Sequence, residues 1–599
     1  MRQSENFALK LWQKAKPRVL FGKKKKGYVM KKTKKIIAAA LAAVMALSMS
    51  ALAFADTAGV TQSNGSAAVT LTGSATGYDA TAHSYNAVKL FDLYKVMEAD
   101  GQTQVTDSNG NNVYQYRFTN AWTNAMKTSL QTALNAGGFQ IDMNTCEITK
   151  TNDAQIATQA GQNENTSDAA KLAAILAKFA DQNKTALGTT TMTAGTASNL
   201  ADGYWVIYEA SNSANDGTVA TKPILLDVRS AEQGGGQRNI TLKDSTVAVD
   251  KTIETASAKS ENKDDVQIGD VIDFKVETNF PVYQADSATT FTDAVFTISD
   301  TLSSGLTLDQ TAANIVVTVN GNTVAKSNTI NTDADNETYT VTTTANSLAI
   351  AFDNAFIMAH QGEDIVVTYK AALNENAVYN DPDGNPNTVT VSYSNNPMNT
   401  SDVKTLTDHT ENYTYAFDLR KLDGANDSLL AGAVFEMKDS SDNTLSFLVN
   451  NGVYTVVPAG TTGAVTSITT TATGDITIVG LDEDTYTLTE TTAPTGFAQL
   501  ANPITVVITA LTSGNPAEIT GYYNAAATNG TVITDAANDT EGANKNASTE
   551  GVSDVNVVVR NYHGVTLPET GSIAAIVISL SGLFAAIGGG AFVARKKND

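Results

Sequence analysis

NTVTVSYSNNP, residues 387–397, alternates valine and tyrosine with threonine and serine, then halts at two asparagines and a proline. Side chains of an extended chain point alternately to opposite faces, so Val389, Val391 and Tyr393 share one side. DIVVTYKAAL at 364–373 has the same character, and most of the chain is Thr/Val/Ile/Tyr alternation broken by Asn, Asp and Gly. Period-two segments with such turn residues read as antiparallel sandwiches. The expected fold class is therefore mainly β, with tandem immunoglobulin-like β-sandwich domains. One region departs from the pattern. Between Phe118 and Ala186, AWTNAMKTSLQTALNAGG (121–138) and SDAAKLAAILAKFADQN (167–183) space apolar residues at i, i+3 and i+4. Two helices are expected there, inserted into the first domain.

The ends of the chain read as sorting devices. MKKTKKIIAAALAAVMALSMSALAFA, Met30 to Ala55, has a basic start, an apolar stretch and an A-x-A ending, which predicts a secretory signal peptide cleaved before Asp56. Met30 is itself a candidate start. At the other end LPETG, made of Leu567, Pro568, Glu569, Thr570 and Gly571, precedes an apolar run from Ile573 to Ala594 and then Arg595, Lys596 and Lys597. A run of that length, at about 1.5 Å per residue, crosses a bilayer core as a helix. The basic tail stays on the cytoplasmic side. This ending resembles the cell-wall sorting signal of Gram-positive surface proteins. The resemblance implies a substrate of sortase, with Leu567, Pro568, Glu569, Thr570 and Gly571 as the recognised motif. The sortase cysteine cuts between Thr570 and Gly571 and passes the Thr570 acyl group to an amine. Pro568 disfavours helix at Leu567 and keeps the motif extended enough to enter a protease-like groove.

Composition agrees with an extracellular address. The formal charge is −22, and thirteen basic residues against one acid sit in residues 1–55, so the remainder is more acidic still. Such a surface repels nucleic acid and anionic lipid. Cys146 is the one cysteine, so no intramolecular disulfide forms. Composition divides the chain into a signal peptide (1–55), an N-terminal domain (56–242), a second domain (243–400), a third domain (401–563) and the sorting region (564–599). The glycine-rich EQGGGQ at 232–237 reads as a linker, without P-loop form, and ATNGTVITDAANDTEGANKNASTEG at 527–551 reads as a long exposed loop.

The third domain has the sharpest motifs. FDLRKLD (417–423) carries Lys421, YTLTETTAPTGF (486–497) carries Glu490, and VNVVVRNYHG (555–564) carries Asn561. Their order resembles the B-type repeat domain of collagen-adhesin (Cna) surface proteins, whose members join a first-strand lysine to a last-strand asparagine by an isopeptide bond. A lysine near pKa 10.4 is protonated in water and cannot attack a carbonyl. Apolar burial favours the neutral amine and the protonated carboxylic acid. The acid then hydrogen-bonds the asparagine amide oxygen, the amine attacks, and ammonia leaves. No cofactor and no metal is required. A buried Lys421–Glu490 salt bridge is the plain alternative.

The second domain has VAVDKTI (247–253) with Lys251, FTISDTLSSGLTLD (296–309) with Asp300, and NTVTVSYSNNP with Asn387. It resembles the A-type domain of the same families, in which aspartate is the acid. If first and last strands run parallel, an asparagine early in the last lies beside Lys251; Asn387 is the first choice and Asn395 the second. In the first domain YNAVKLFDLYKV (85–96) holds Lys89 and DGYWVIYEAS (202–211) holds Glu209, a pair resembling pilin N-terminal domains. Some members bond there and others do not, so a Lys89–Asn239 bond with Glu209 as acid and a plain strand lysine both stand.

ITLKDSTVAVDKTI (240–253) holds Lys243 eight residues before Lys251. This resembles the domain junction of backbone (major) pilins from Gram-positive sortase-assembled pili, with Thr241-Leu242 where Tyr-Pro is common. The resemblance implies that Lys243 is the amine that attacks Thr570 of another subunit. Implied partners are pilin-specific and housekeeping sortases, further copies of the chain, minor pilins and peptidoglycan. The expectation is a secreted pilus shaft subunit and not an enzyme, with a monomeric wall-anchored adhesin as the alternative. A hydrolase lacks support, since His83, His360, His409 and His563 are scattered without nucleophile or metal-ligand spacing.

Overall fold

The computed structural model describes residues 59–563 apart from 74–81, 152–155, 157–167, 213–216, 231–237, 243–244, 256–257, 284–292, 325, 328–338, 397–398, 514–517 and 534–555. The signal segment, the EQGGGQ linker and Lys243 lie outside the described residues. So do all five residues of the expected sortase motif, Leu567, Pro568, Glu569, Thr570 and Gly571, and the run Ile573–Ala594 after them. No described helix is long and apolar enough to cross a membrane.

In the first domain, the strand His83–Val96 sits at the centre of a six-stranded sheet beside Gly203–Asn212. A three-stranded sheet of Ser66–Thr72, Ala197–Ala201 and Arg238–Thr241 accompanies it. Both expected helices form, over Asn124–Ala136 and Asp168–Leu187. Thr123 caps the first by accepting from the Met126 N–H at 3.2 Å, one of the donors a helix start otherwise leaves unpaired. Leu130, Leu134, Leu172, Leu176 and Phe179 pack with Val88, Leu90, Tyr204 and Val206 of the sheet. Trp122 stacks on Phe179 with ring centroids 5.1 Å apart. Cys146 is buried in this core, and burial pushes its thiol up to about 12, so it stays protonated and inert.

The second domain is a sandwich of two larger sheets. One contains Val249–Ile253, Val271–Asn279, Asp364–Leu373 and Val316–Val319. The other places Asn385–Asn396 between Phe296–Leu302 and Asn399–Tyr413. The alternation in residues 387–397 works as the sequence implies: Val389, Val391 and Tyr393 join Phe274, Val276 and Ile298 in one core. Two details differ from expectation. The long strand Asn399–Tyr413 crosses the boundary expected at residue 400 and pairs with the second domain's own sheet, Asn387 opposite Thr410. The first strand, which carries Lys251, and the strand carrying Asn387 belong to different sheets and do not pair in parallel. They meet across the core instead.

In the third domain the first and last strands do run parallel. Tyr415–Asp423 pairs with Asn556–Asn561, Lys421 opposite Val559 and Asp423 opposite Asn561. Positions two apart on adjacent strands share a face, so Lys421 and Asn561 both point inward. The facing sheet brings Thr485–Thr492, with Glu490, against them. Part of the expected loop 527–551 is ordered strand: Asn529-Gly530 turns the chain between Glu518–Thr528 and Thr531–Ile533, which pairs with the last strand. Asn529 takes the left-handed conformation (φ 60°), which asparagine tolerates better than most residues.

Candidate functional site

The third domain's candidate site is closed to solvent. Lys421, Glu490 and Asn561 are 0 %, 2 % and 1 % exposed. Lys421 Nζ donates to Asn561 Oδ1. Asn561 Nδ2 donates to both Glu490 oxygens, at 2.9 and 3.0 Å, and Glu490 Oε1 lies 3.8 Å from Lys421 Nζ. The Leu500 N–H donates to Glu490 Oε2 at 2.8 Å and fixes the carboxyl. The sequence led us to expect the acid on the amide oxygen, whereas here it faces the amide nitrogen. An amide NH2 donates and a carboxyl oxygen accepts, so in this arrangement the Asn561 nitrogen is engaged by the acid and its oxygen by the amine.

Burial lowers the Lys421 amine to about 8, against the partial offset of Glu490. At neutral pH that raises the neutral fraction by roughly two to three orders of magnitude over a solvated lysine. A consequence can be measured where the lysine has no partner to join. The folded-state value lies below the unfolded one, so between about pH 8 and 10.5 the unfolded chain holds more protons and stability climbs with pH. In an Asn561→Ala chain, denaturant midpoints should therefore rise over that window. An Asn561→Ala, Lys421→Ala chain should lack the rise.

The second domain assembles a related but different cluster. Lys251, Asp300 and Asn387 are 0 %, 1 % and 0 % exposed. Asp300 Oδ2 lies 2.5 Å from Lys251 Nζ. Burial pulls the Lys251 amine down and pushes the Asp300 carboxyl up, each only partly countered by the other's charge. The backbone N–H of Lys251 donates to Asp408 Oδ2 at 2.7 Å, tying the first strand to Asn399–Tyr413. Asn395 is elsewhere: it donates to Asp402 at 2.9 Å and accepts from the Ala220 N–H at 3.0 Å, joining the first and second domains. Of the two asparagines, the structure brings Asn387 and not Asn395 to Lys251.

Sequence reasoning missed Tyr369. Its hydroxyl accepts from Lys251 Nζ and, at 2.9 Å, from Asn387 Nδ2. Nothing local marks it, because a tyrosine in DIVVTYKAAL reads as one more core residue; only the pairing of Tyr369 with Phe274, beside the Lys251 strand, reveals it.

The first-domain set does not assemble. Lys89 pairs with Asp92 at 2.6 Å and remains partly exposed. Glu209 is buried against His83 Nδ1 at 2.8 Å and accepts from the Thr221 N–H at 2.6 Å. Lys89 is opposite Trp205, while Glu209 is opposite Tyr85. That separates the two by about 13 Å at the usual strand rise. Asn239 is exposed and lies in the other sheet, opposite Thr70. The motif order was right for such a site, but strand register decides, and it sets them apart.

The remaining histidines also have ordinary partners: His360 with Glu363 at 2.9 Å, His409 with Glu411 at 3.3 Å and His563 with Asp423 at 3.4 Å. Among the described residues no group of three or more His, Cys, Asp or Glu side chains is arranged to hold a metal ion.

Comparison with known proteins agrees with this architecture. Residues 268–397 match the family of Gram-positive pilin backbone subunit 2, Cna-B-like domain. Residues 416–521 match the SpaA prealbumin-like fold domain, and 564–599 the LPXTG cell wall anchor motif, a span that includes Leu567, Pro568, Glu569, Thr570 and Gly571. The Cna-B-like description differs from the A-type resemblance drawn for the second domain; the acid in its cluster is an aspartate on either description. The trypsin-resistant surface T6 protein of Streptococcus pyogenes serotype M6 is 25 % identical over 289 residues, 43 % of this chain and 51 % of that protein. The chain thus aligns with only about half the length of that relative. The solved T6 backbone pilin, described as a modular three-domain structure, superposes with a TM-score of 0.50 at 15 % identity, over 84 % of this chain and 99 % of that one.

Tandem Cna-type and prealbumin-like sandwiches followed by an LPXTG anchor define a secreted, wall-anchored Gram-positive surface protein. Within that class, residues 268–397 match a pilin backbone domain, and the described fold is similar to that of the T6 backbone pilin.

Proposed function

We propose that the chain is the repeating unit of a covalent pilus shaft, locked internally by Lys421–Asn561 and Lys251–Asn387 isopeptide bonds. Glu490 and Asp300 serve as the acids, and Lys243 of one subunit receives the Thr570 acyl group of the next from a pilin-specific sortase. That enzyme reads Leu567, Pro568, Glu569, Thr570 and Gly571 as its motif. A head-to-tail contact of this kind is heterologous and does not close, so it grows as an open fibre. A housekeeping sortase then joins the terminal subunit to peptidoglycan, and minor pilins use the same chemistry.

The observation that carries this reading is the sealed convergence of Lys421, Glu490 and Asn561 on the first, facing and last strands. A lysine and a glutamate are costly to bury as an ion pair. Condensation replaces the amine by a neutral amide and leaves only an uncharged acid in the core. No first-domain bond is proposed, because Lys89, Glu209 and Asn239 lie apart.

The test is a Lys243→Ala chain expressed in the native cell, with wall extracts run on a denaturing gel. The high-mass ladder should vanish and a single wall-linked monomer remain. An unchanged ladder would move the linkage to another lysine. The absence of any ladder in the unaltered protein would favour a monomeric wall-anchored adhesin.

A further inference from the structure

The two lysine clusters differ in the reach of their acids. Glu490 touches the leaving-group nitrogen with both oxygens and lies 3.8 Å from the amine. Asp300, one methylene shorter, meets the amine through Oδ2 and also interacts with the Tyr369 hydroxyl, while its Oδ1 has no hydrogen-bond partner among the described residues. The nitrogen that must leave as ammonia, Asn387 Nδ2, donates instead to the Tyr369 hydroxyl, which also accepts from Lys251 Nζ. Among the described residues, that hydroxyl is the one group hydrogen-bonded to both nitrogens.

We propose that Tyr369 is a catalytic residue of the second-domain condensation, its hydroxyl relaying a proton from Lys251 Nζ to the departing Nδ2 of Asn387. The proposal rests on the reading that Lys251 and Asn387 condense. The amine's ammonium proton first passes to the Asp300 carboxylate, 2.5 Å away, leaving a neutral Nζ. Nζ then attacks Asn387 Cγ and forms the new N–C bond. The tetrahedral adduct gives an Nζ proton to the Tyr369 oxygen while the hydroxyl's own proton moves to Nδ2. The Cγ–Nδ2 bond breaks, ammonia leaves, and the amide keeps one N–H. Phenol and carboxylic acid end as they stood at the moment of attack. A hydroxyl suits this task because it donates and accepts at once, whereas a lone carboxylic acid must span both nitrogens. Burial raises the Tyr369 hydroxyl far above its ordinary range, so it enters as the neutral phenol.

The geometry is held rigidly. Tyr369 is 1 % exposed and stacks on Phe274 at 5.4 Å between centroids, contacts that a phenylalanine would keep. The test is therefore Tyr369→Phe in the full chain, sampled after a short pulse of expression. Intact mass and peptide mapping would score each cross-link, and hydrogen exchange would be read at Val271–Asn279 and Asp364–Leu373. The Lys421–Asn561 link should form as in the unaltered protein. The Lys251–Asn387 link should form about 100-fold more slowly, the lower end of what general acid–base groups contribute, with exchange protection retained. An unchanged Lys251–Asn387 rate would overturn the proposal. Loss of the link together with loss of protection would make the hydroxyl a structural group and overturn it equally. A missing Lys251–Asn387 link in the unaltered protein would sink the underlying reading as well, and is distinguished by appearing without any substitution.

Discussion

An Asn561→Ala chain should unfold its third domain about 15 °C lower than the unaltered protein, and trypsin should then cut that domain. Residues 421 and 561 are separated by 140 positions. Closing a loop of that size in the unfolded chain stabilises by about 5 kcal/mol in the chain-entropy picture. For a domain of this length each kcal/mol moves the midpoint by about 2–4 °C. The substitution also leaves Lys421 and Glu490 buried without the amide between them, which adds to the loss. Differential scanning calorimetry would read the change as one transition moving while the others stay. An unmoved third-domain transition would mean that no bond existed to lose.

The same substitution should alter the response to force. If subunits join through Lys243 and Thr570, tension crosses the second and third domains and bypasses the first. In the third domain the proposed Lys421–Asn561 bond would tie the strand of entry to the strand of exit, so that nothing between them could extend. The second domain is tied differently. The proposed bond ends at Asn387, and the chain leaves along Asn399–Tyr413, with Asn387 opposite Thr410. The hairpin between those two positions would stay outside the clamp, and stretching it would release about 80 Å at the extended length per residue. A first domain off the load path needs no clamp, which fits the separation of Lys89, Glu209 and Asn239.

The second large effect concerns the acids. Glu490→Gln should leave Lys421 and Asn561 unjoined through times when the unaltered chain is complete, and Asp300→Asn should do the same for Lys251 and Asn387. An amide of nearly the same shape cannot take the lysine's proton, and loss of a general acid–base group typically slows a reaction by about 10² to 10⁴. Each substitution should spare the other domain's link, because the two clusters lie in separate cores. Peptide mapping of the two variants would show crossed results: one link missing in each. Both links forming at normal rate in either variant would remove the acids from the mechanism.

Much of this was legible in the sequence, and the parts that were not have physical reasons. Period-two alternation marked the sandwiches because one face of each strand is buried, and helical spacing marked the two inserted helices because they cover the sheet with one apolar face. Lys421, Glu490 and Asn561 were readable because the motif around each is distinctive. Asn387 could not be separated from Asn395 without register: both are fully buried, but only one faces Lys251. Tyr369 hid among core aromatics, since sequence shows a side chain's type and not what its hydroxyl meets. The strand Asn399–Tyr413 escaped notice because it is mostly polar, with Val403, Leu406 and Tyr413 too widely spaced to show alternation; it lies near the sheet's edge beside the short Lys263–Asp265, where little of it is buried. For Lys89 and Glu209 the residue order left a bond and a plain strand lysine both open, and strand register places the two residues apart.

The central claim, that buried lysines have condensed with asparagines, has one direct measurement. Intact mass of the purified, signal-cleaved protein should fall about 34 Da below the sequence value, one ammonia of about 17 Da for each of two bonds formed at attack distance. A deficit of one ammonia would leave a single link, which mapping would assign. A mass equal to that of the unmodified sequence would contradict the account.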